Sequence, residues 1–308
     1  MAVINTIASK SAGCGGEAIN TGDLGCDISF GLVIHALGFA KGTVIGKNTE
    51  LTLAVIEALV QKGEVIPIMD AFSSEPTMSE DTLETSPLGV EALTLKGLPK
   101  YSLTMKKGQE YYKEMAKLTG FGNINYVLGD VNGNWKFAVD SNGDFTGFTA
   151  GQTLAAITTP ATATETEKKT FTFQLTDRKQ IDSTYAVIES ANAFPISQVT
   201  GVNGIEFSFA DVNGAVVPAS GDVTLKVKAV LSSDRITDIE GLVLADFNTS
   251  AGTISAISDD GNGFYTLTVS ALSTGLLTVK TKDSTLGVDV ISNSSVLYKS
   301  NLLSATVA

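Results

Sequence analysis

Two aspartate-containing turns are the parts of this sequence that most resemble a metal-binding motif. Oxygen-bearing side chains fill positions one, three and five of each turn: Asp130, Asn132 and Asn134, and Asp140, Asn142 and Asp144. A helix–loop–helix calcium site also needs glycine at position six and a bidentate acid at position twelve. Position six is Trp135 or Phe145, and position twelve is Ser141 or Gly151. Both motifs fail, and the residues predict hairpin turns without a metal.

The single histidine and the two cysteines offer little further chemistry. His35 lies in an apolar segment, which favours a buried structural histidine, and no Gly-x-Ser-x-Gly elbow, P-loop or dinucleotide-binding motif is present. Cys14 and Cys26 lie in a glycine-rich segment. Free thiols are the favoured interpretation, and a disulfide is the alternative. A zinc site would need two more ligands, so we expect no metal, no cofactor, no catalytic residue and no enzymatic activity.

The elements that would position these residues are mostly strands. Alternation from Ile28 to Ile34 predicts a first strand, and 64–69, 90–95, 101–105, 169–176 and 185–188 predict others. Asn48 to Gly63 reads as a helix capped by Asn48 or Thr49, and Gly108 to Leu118 as a second helix. Two Asn-Gly turns, 132–133 and 142–143, favour positive φ at both central positions and predict a three-stranded antiparallel meander.

Three regions follow along the chain. Residues 1–26 are rich in Gly, Ala, Ser and Asn without periodicity, which indicates an extended N-terminal arm or, alternatively, a frayed terminus. Residues 27–195 form a β-rich assembly domain. After a boundary near 190–203, residues 204–308 show about seven short strands, the count of an immunoglobulin-like sandwich. The predicted strands are 205–209, 223–230, 241–247, 264–269, 276–281, 288–291 and 297–303. The predicted fold class is mainly β: an α+β first domain with one or two short helices, then the β-sandwich.

Residues 70–89 are acidic and contain no Lys or Arg. They predict a long irregular loop, which is usually functional or disordered in a compact domain. The loop is a candidate for contact with a basic patch on a neighbouring subunit, and a solvated loop is the alternative. The best local partner for the loop is the basic side of the second predicted helix, with its lysines on and before that helix: Lys106, Lys107, Lys113 and Lys117.

Charge and hydropathy exclude several partners. The net charge is −12 and the pI is about 4.6, which argues against specific binding of nucleic acid or an anionic membrane. Residues 1–6 lack a basic segment, and no apolar stretch reaches the roughly 20 residues of a membrane helix. We therefore expect neither a signal peptide nor a transmembrane span, and synthesis in the cytoplasm.

The order of these regions resembles tailed-bacteriophage virion proteins, most of all major tail tube proteins. The C-terminal segments 241–247, 261–269 and 275–279 resemble bacterial and phage immunoglobulin-like repeats, over about a third of the chain. For residues 1–200 the resemblance lies in the layout of elements alone.

The resemblance implies a virion structural protein that forms stacked, hexameric rings around a DNA conduit. The arm (1–26) and the acidic segment (70–89) would then bridge rings, and the sandwich would decorate the outside. Its partners would be copies of itself, other virion proteins and DNA that passes through without specific binding. A host-surface glycan is a candidate partner of the sandwich. A capsid or capsid-decoration protein is one alternative, and a surface or adhesive binding module is an alternative of another class.

Overall fold

A computed structural model describes residues 30–85, 91–95, 97–210, 216–217, 221–294 and 296–307. The fold is mainly β, as the sequence predicts. The chain forms two compact units, and the main division falls between Val199 and Thr200. The described helices are α1 (Leu53–Gln61), α2 (Gln109–Ala116) and α3 (Arg178–Asp182).

The first unit contains thirteen described strands, all paired antiparallel. They are β1 (Val33–Ala40), β2 (Val65–Ile68), β3 (Ser73–Met78), β4 (Thr82–Thr85), β5 (Glu91–Leu95), β6 (Pro99–Met105), β7 (Gly120–Phe121), β8 (Ile124–Asp130), β9 (Trp135–Val139), β10 (Phe145–Thr146), β11 (Phe148–Ala155), β12 (Lys169–Leu175) and β13 (Tyr185–Ile188).

Six of these pairings close a barrel. Hydrogen bonding runs β1–β8–β11–β12–β6–β3, and β2, which precedes β3 along the chain, pairs with β1. At the junction, the amide of Ala71 donates to Ile34 (3.0 Å), and the amide of Phe72 donates to Thr104 (2.8 Å). The chain from 65 to 78 thus leaves β1 and joins β6, with the bend at Asp70, whose φ is +58°. The sequence did not predict this closure.

Aromatic side chains fill the barrel. Alternate residues of β12 are buried, among them Phe171 and Phe173, and the ring of Phe173 stacks on Tyr126 at 4.1 Å. Helix α2 adds Tyr112 and Met115 to the same core. The hydroxyl of Tyr112 lies 3.2 Å from the carbonyl of Met105 and accepts a hydrogen bond from the Lys107 amide (2.9 Å). The helix is therefore fixed to the core by both apolar burial and hydrogen bonds.

The predicted meander is confirmed, but its turns differ from the prediction. Strands β8, β9 and β10 pair in sequence. Gly133 and Gly143 take positive φ, whereas Asn132 and Asn142 do not. The reason lies in the aspartate two residues before each asparagine. Its carboxylate accepts the amide of that asparagine, which keeps a negative φ.

The acidic segment is not an irregular loop. Residues 73–78 form β3, and 82–85 form β4, which pairs with β5. Pro76 is tolerated because β3 pairs only with β6 among the described strands, so its missing N–H interrupts no second ladder. A proline and several acids obscured the strand pattern.

Three element boundaries also differ from the prediction. The first strand begins at Val33, because the Gly31 amide bonds the side chain of Asp130 and not a neighbouring strand. Helix α1 begins at Leu53, and the Thr52 hydroxyl accepts the Val55 amide at 3.3 Å, so the predicted caps at Asn48 and Thr49 are wrong. Helix α3 was not predicted, since five residues are too few to show a helical period.

The second unit is a two-sheet sandwich. Its strands are β14 (Asn203–Phe209), β15 (Val216–Val217), β16 (Gly221–Leu231), β17 (Phe247–Thr249), β18 (Thr253–Gly261), β19 (Phe264–Leu272), β20 (Gly275–Thr281), β21 (Val290–Asn293), β22 (Val296–Ser300) and β23 (Leu303–Val307). One sheet has the order β18-β19-β16-β14-β22-β21, and the other has the order β15-β23-β20-β17. With β21 and β22 set aside as an inserted hairpin, these are the DEBA and GFC sheets of the immunoglobulin fold.

The sandwich also corrects the predicted strands. Residues 241–246 are not a strand, because the Val243 amide bonds the side chain of Asp246 and the chain turns there. Strand β18 was missed, since its residues are mostly small, polar and exposed on both faces. The predicted strand 297–303 is two strands. Between them the side chain of Asn301 bonds the Phe207 backbone.

Candidate assembly surface

A two-stranded ribbon extends from the barrel edge. Strands β3 and β4 run outward and β5 and β6 return, and between the two pairs Ser79 and Leu98 keep the ribbon hydrogen-bonded. Among the described strands, β4 and β5 pair only with each other. Residues 79–85 of the acidic segment therefore form one side of this ribbon, which is defined here by its described residues 79–85, 91–95 and 97–98.

Arg178 of α3 braces the base of the ribbon. Its guanidinium donates to the carbonyl of Gly97 at 2.7 Å and lies 3.9 Å from the carboxylate of Asp81. Asp81 in turn accepts the Gly97 amide at 2.6 Å. Asp182, one helical turn from Arg178, holds the guanidinium from the other side. Gly97 has no substitute here, because an added Cβ would lie 1.8 Å from the carbonyl oxygen of Ser79.

Two strands of the first unit, β3 and β13, each have one edge without a partner strand. Among the described strands, β3 pairs with β6 alone, at one end of the main strand order, and β13 pairs with β9 alone, on a side branch. Strands β2, β7 and β10 also have a single partner strand. Unpaired edges expose a row of backbone donors and acceptors that can pair with another chain. The edges of β3 and β13 are therefore two different surfaces that a neighbouring copy could use.

The predicted basic partner of the acidic segment is engaged within its own chain. Lys107 lies 3.6 Å from the carboxylate of Asp70, and the ammonium of Lys106 lies 3.5 Å from the ring of Phe72. Lys113 and Lys117 pair with acids three residues before them on α2. Because each of these cations already has a local contact, α2 is not an open basic patch.

His35 is a buried structural residue, as its apolar segment predicts. It lies on β1 with 3% of its surface exposed, and its Nδ1 accepts the Asp70 amide at 3.1 Å. Burial lowers the pKa of His35, and the negative charge of Asp70 opposes that effect. The neutral imidazole thus ties β1 to the bend that closes the barrel.

Asp130 is the centre of the first turn, and its oxygens are used internally. Its Oδ1 accepts the amides of Asn132 (2.9 Å) and Asn134 (2.8 Å). Its Oδ2 accepts the Gly31 amide (2.8 Å) and the side-chain amide of Asn134 (3.0 Å). These contacts explain the residues of the turn as structural. In the part of the chain that the structure describes, no group of three or more His, Cys, Asp or Glu side chains could hold a metal ion.

Two sequence predictions lie outside the described residues. These are the arm at 1–26, with Cys14 and Cys26, and residues 86–89 of the acidic segment. No sequence pattern indicated the Arg178 brace or the barrel bend at Asp70. Both depend on contacts between residues far apart in the chain. Within the described ranges, no helix is both long and apolar enough to cross a membrane.

Comparisons with known proteins give little further information. No protein-family model and no curated protein matches this chain. One similar solved structure is Bacteroides ovatus SGBP-B of a mixed-linkage glucan utilization locus, in complex with a mixed-linkage heptasaccharide. The identity is 13% and the TM-score is 0.20, over 76% of this chain and 61% of that one. The chain thus matches less than two thirds of that structure's length, and a likeness at this TM-score carries no argument.

Proposed function

We propose that this protein is a virion structural subunit that assembles with copies of itself, as the major tail tube protein of a tailed phage. The ribbon is the observation that carries this proposal. It extends from a closed barrel, and among the described strands its outer pair has no sheet neighbour. A two-stranded ribbon is at best marginally stable in water. A contact with another copy would give it the third element that it lacks.

The unpaired edges of β3 and β13 favour assembly of the subunits into a ring. A contact between β3 of one copy and β13 of the next would join two different surfaces, and such a heterologous interface closes into a ring when its rotation permits. The net charge of −12 also suits a conduit through which DNA passes without being bound. In this proposal the sandwich is an appendage, and other virion proteins and a host-surface glycan are its candidate partners.

Negative-stain microscopy and sedimentation velocity of the purified full chain test the proposal. We expect rings or stacked tubes. Shells would favour the capsid alternative, and a monomer at high concentration would contradict self-assembly altogether. A variant in which Asn-Gly replaces residues 80–97 shortens the ribbon beyond Ser79. It should lose the rings while the emission of the single tryptophan, Trp135, shows that the barrel remains folded.

Two further variants separate the roles of the parts. Deletion of residues 204–308 should leave rings intact, because the sandwich is proposed as an appendage. Deletion of residues 1–26 should abolish tubes without unfolding the barrel. Unchanged assembly of the ribbon-shortened variant would refute the role of the ribbon, and loss of rings with the sandwich would refute the appendage.

A further inference from the structure

The side chain of Lys136, on β9, ends among three aromatic rings. Its Nζ lies 4.3 Å from the ring centroid of Tyr185, 5.8 Å from that of Phe30 and 6.0 Å from that of Phe148. The faces of such rings attract a cation. Burial lowers the pKa of Lys136. Attraction to the rings opposes the cost of removing the ammonium from water.

No carboxylate in the described part of the chain pairs with Lys136. Nine ion pairs and the contact between neutral His35 and Asp70 join other residues, and none includes Lys136. Lys136 is half-buried, and a charge withdrawn from water is better tolerated when a counter-ion compensates it. Among the described residues, the ammonium of Lys136 is therefore left open to a carboxylate from a second copy.

The apolar rim is defined here as three exposed side chains of the first unit: Leu32, Val131 and Tyr185. Tyr185, whose ring contacts the ammonium of Lys136, is 42% exposed. Leu32, two residues after Phe30, and Val131, directly after β8, are 47% and 51% exposed, and the Val131 amide bonds the carbonyl of Leu32 at 3.0 Å. Exposed apolar patches bordered by polar residues are typical of a protein contact. A complementary partner would carry one acid with an apolar neighbour.

Residues at the base of the ribbon supply an acid with an apolar neighbour. Glu80 is exposed and has no ion pair among the described residues, and Met78, two residues earlier, is 58% exposed. Residues two apart along an extended segment share a face. Glu80 and Met78 would thus contact the ammonium and the apolar rim together. Glu75, also exposed, lies an odd number of residues away and faces the other side.

Building on the proposed function, we infer that Glu80 of one copy binds Lys136 of the next copy. The contact joins the β3 side of one barrel to the β9–β13 side of its neighbour, in line with a heterologous ring. It gives the half-buried ammonium of Lys136 a counter-ion, and it fixes which residues of the two copies meet at the interface. Met78 packs against Leu32, Val131 and Tyr185 in the same contact.

Carbodiimide coupling of assemblies made from equal amounts of ¹⁴N- and ¹⁵N-labelled full-length chains tests this contact. We expect mass spectrometry to find Lys136 joined to Glu80 in mixed-isotope pairs, in assembled particles and not in dilute subunits. Particles in which Lys136 is uncoupled, or joins a carboxylate of its own chain, would overturn the inference and leave the proposed function standing. If no assembly forms under any condition, the proposed function fails and this contact fails with it.

Charge reversal gives a second, independent test. Lys136→Glu should raise the concentration needed for assembly by roughly 10- to 30-fold, and the double variant Lys136→Glu/Glu80→Lys should restore it. Glu75→Lys is the matched control and should not rescue Lys136→Glu. Lys136→Met should weaken assembly, because the contact with Glu80 is lost. It should also raise the thermal midpoint of the dilute subunit, because it removes a half-buried charge that has no counter-ion there. Lys179→Met removes an exposed lysine and should change neither the assembly nor the thermal midpoint of the dilute subunit. Rescue by Glu75→Lys, or failure of rescue with both double variants folded, would contradict the contact.

Discussion

Asp130→Asn tests whether the first aspartate turn is structural. The change keeps the size of the side chain but replaces one carboxylate oxygen with an NH₂ donor. Asp140, which opens the second turn, supplies a matched control. Its Oδ1 accepts the amides of Asn142 (2.8 Å) and Asp144 (2.9 Å), as Oδ1 of Asp130 does in its own turn. The two sites differ in that Asp130 is fully buried and also uses Oδ2.

The expected loss follows from the two bonds to Oδ2. In Asp130→Asn the new NH₂ group would face two other donors, the Gly31 amide and the side-chain amide of Asn134. A hydrogen bond to a charged group contributes about 1.5–3 kcal/mol. Loss of both should lower the free energy of unfolding by about 3–6 kcal/mol. Asp140→Asn can keep its two Oδ1 contacts, so its loss should stay below about 1 kcal/mol.

Urea unfolding followed by Trp135 fluorescence measures this difference in the first unit. Trp135 is the single tryptophan, it is fully buried, and it stacks on Phe137 directly after the Asp130 turn. The transition it reports is therefore that of the barrel. Equal losses in the two variants would refute the argument from Oδ2. A rise in the unfolding midpoint of the wild type with added calcium would refute the structural interpretation of the turn.

Three further predictions concern other parts of the fold. Because burial lowers the pKa of His35 from 6.5 in the folded state, unfolding takes up a proton. The contribution of His35 to barrel stability should be complete above pH 6.5 and should fall as the pH drops below that value. In urea titrations, His35→Asn, whose oxygen can still accept the Asp70 amide, should remove this dependence, and an unchanged slope would contradict it. In the sandwich, Gly263→Ala should lower the thermal midpoint much more than Gly287→Ala. Both glycines have φ +70°, but an added Cβ at Gly263 would lie 2.5 Å from the Ala229 carbonyl, whereas the space at Gly287 is open. Similar shifts would refute the steric cause. Arg178→Met should speed limited proteolysis within 79–98 while the Trp135 transition stays within about 1 kcal/mol, and unchanged cleavage would show that the brace is dispensable.

Short-range patterns predicted much of the fold. Strict alternation in β12 predicted a strand whose alternate residues are buried, and the structure shows that burial. The same holds for the two turns of the meander, where Asp, Asn and Gly stand at fixed spacing. In each case the decisive interactions lie within a few residues of one another, so the local sequence contains them.

Elements that depend on distant contacts were not predictable in the same way. Strand β3 contains Pro76 and the exposed acid Glu75, and its pairing with β6 alone makes it a strand. The first strand starts late because Asp130, 99 residues further on, takes the Gly31 amide. The acidic composition of 70–89, part of the candidate surface, could be seen in the sequence. The Arg178 brace and the aromatic rings around Lys136 could not, because they form only when elements distant in the chain come together.

One continuous stretch of chain, residues 65–85, contributes strands first to the barrel and then to the ribbon. Residues 65–68 pair with β1, residues 73–78 pair with β6, and residues 82–85 pair with β5 alone. Each of these segments has one strand partner, but the partners of β2 and β3 belong to the barrel, whereas β5 pairs with β4 alone among the described strands. At the base of the ribbon the side chains of Arg178 and Asp81 are 30% and 48% exposed, in contrast to the buried residues of β1 and β12. A surface arginine pair typically contributes under about 1 kcal/mol, which is too little to fix a ribbon of this length. An external contact, for which Glu80 and Met78 supply a charge and an apolar group, would complete it.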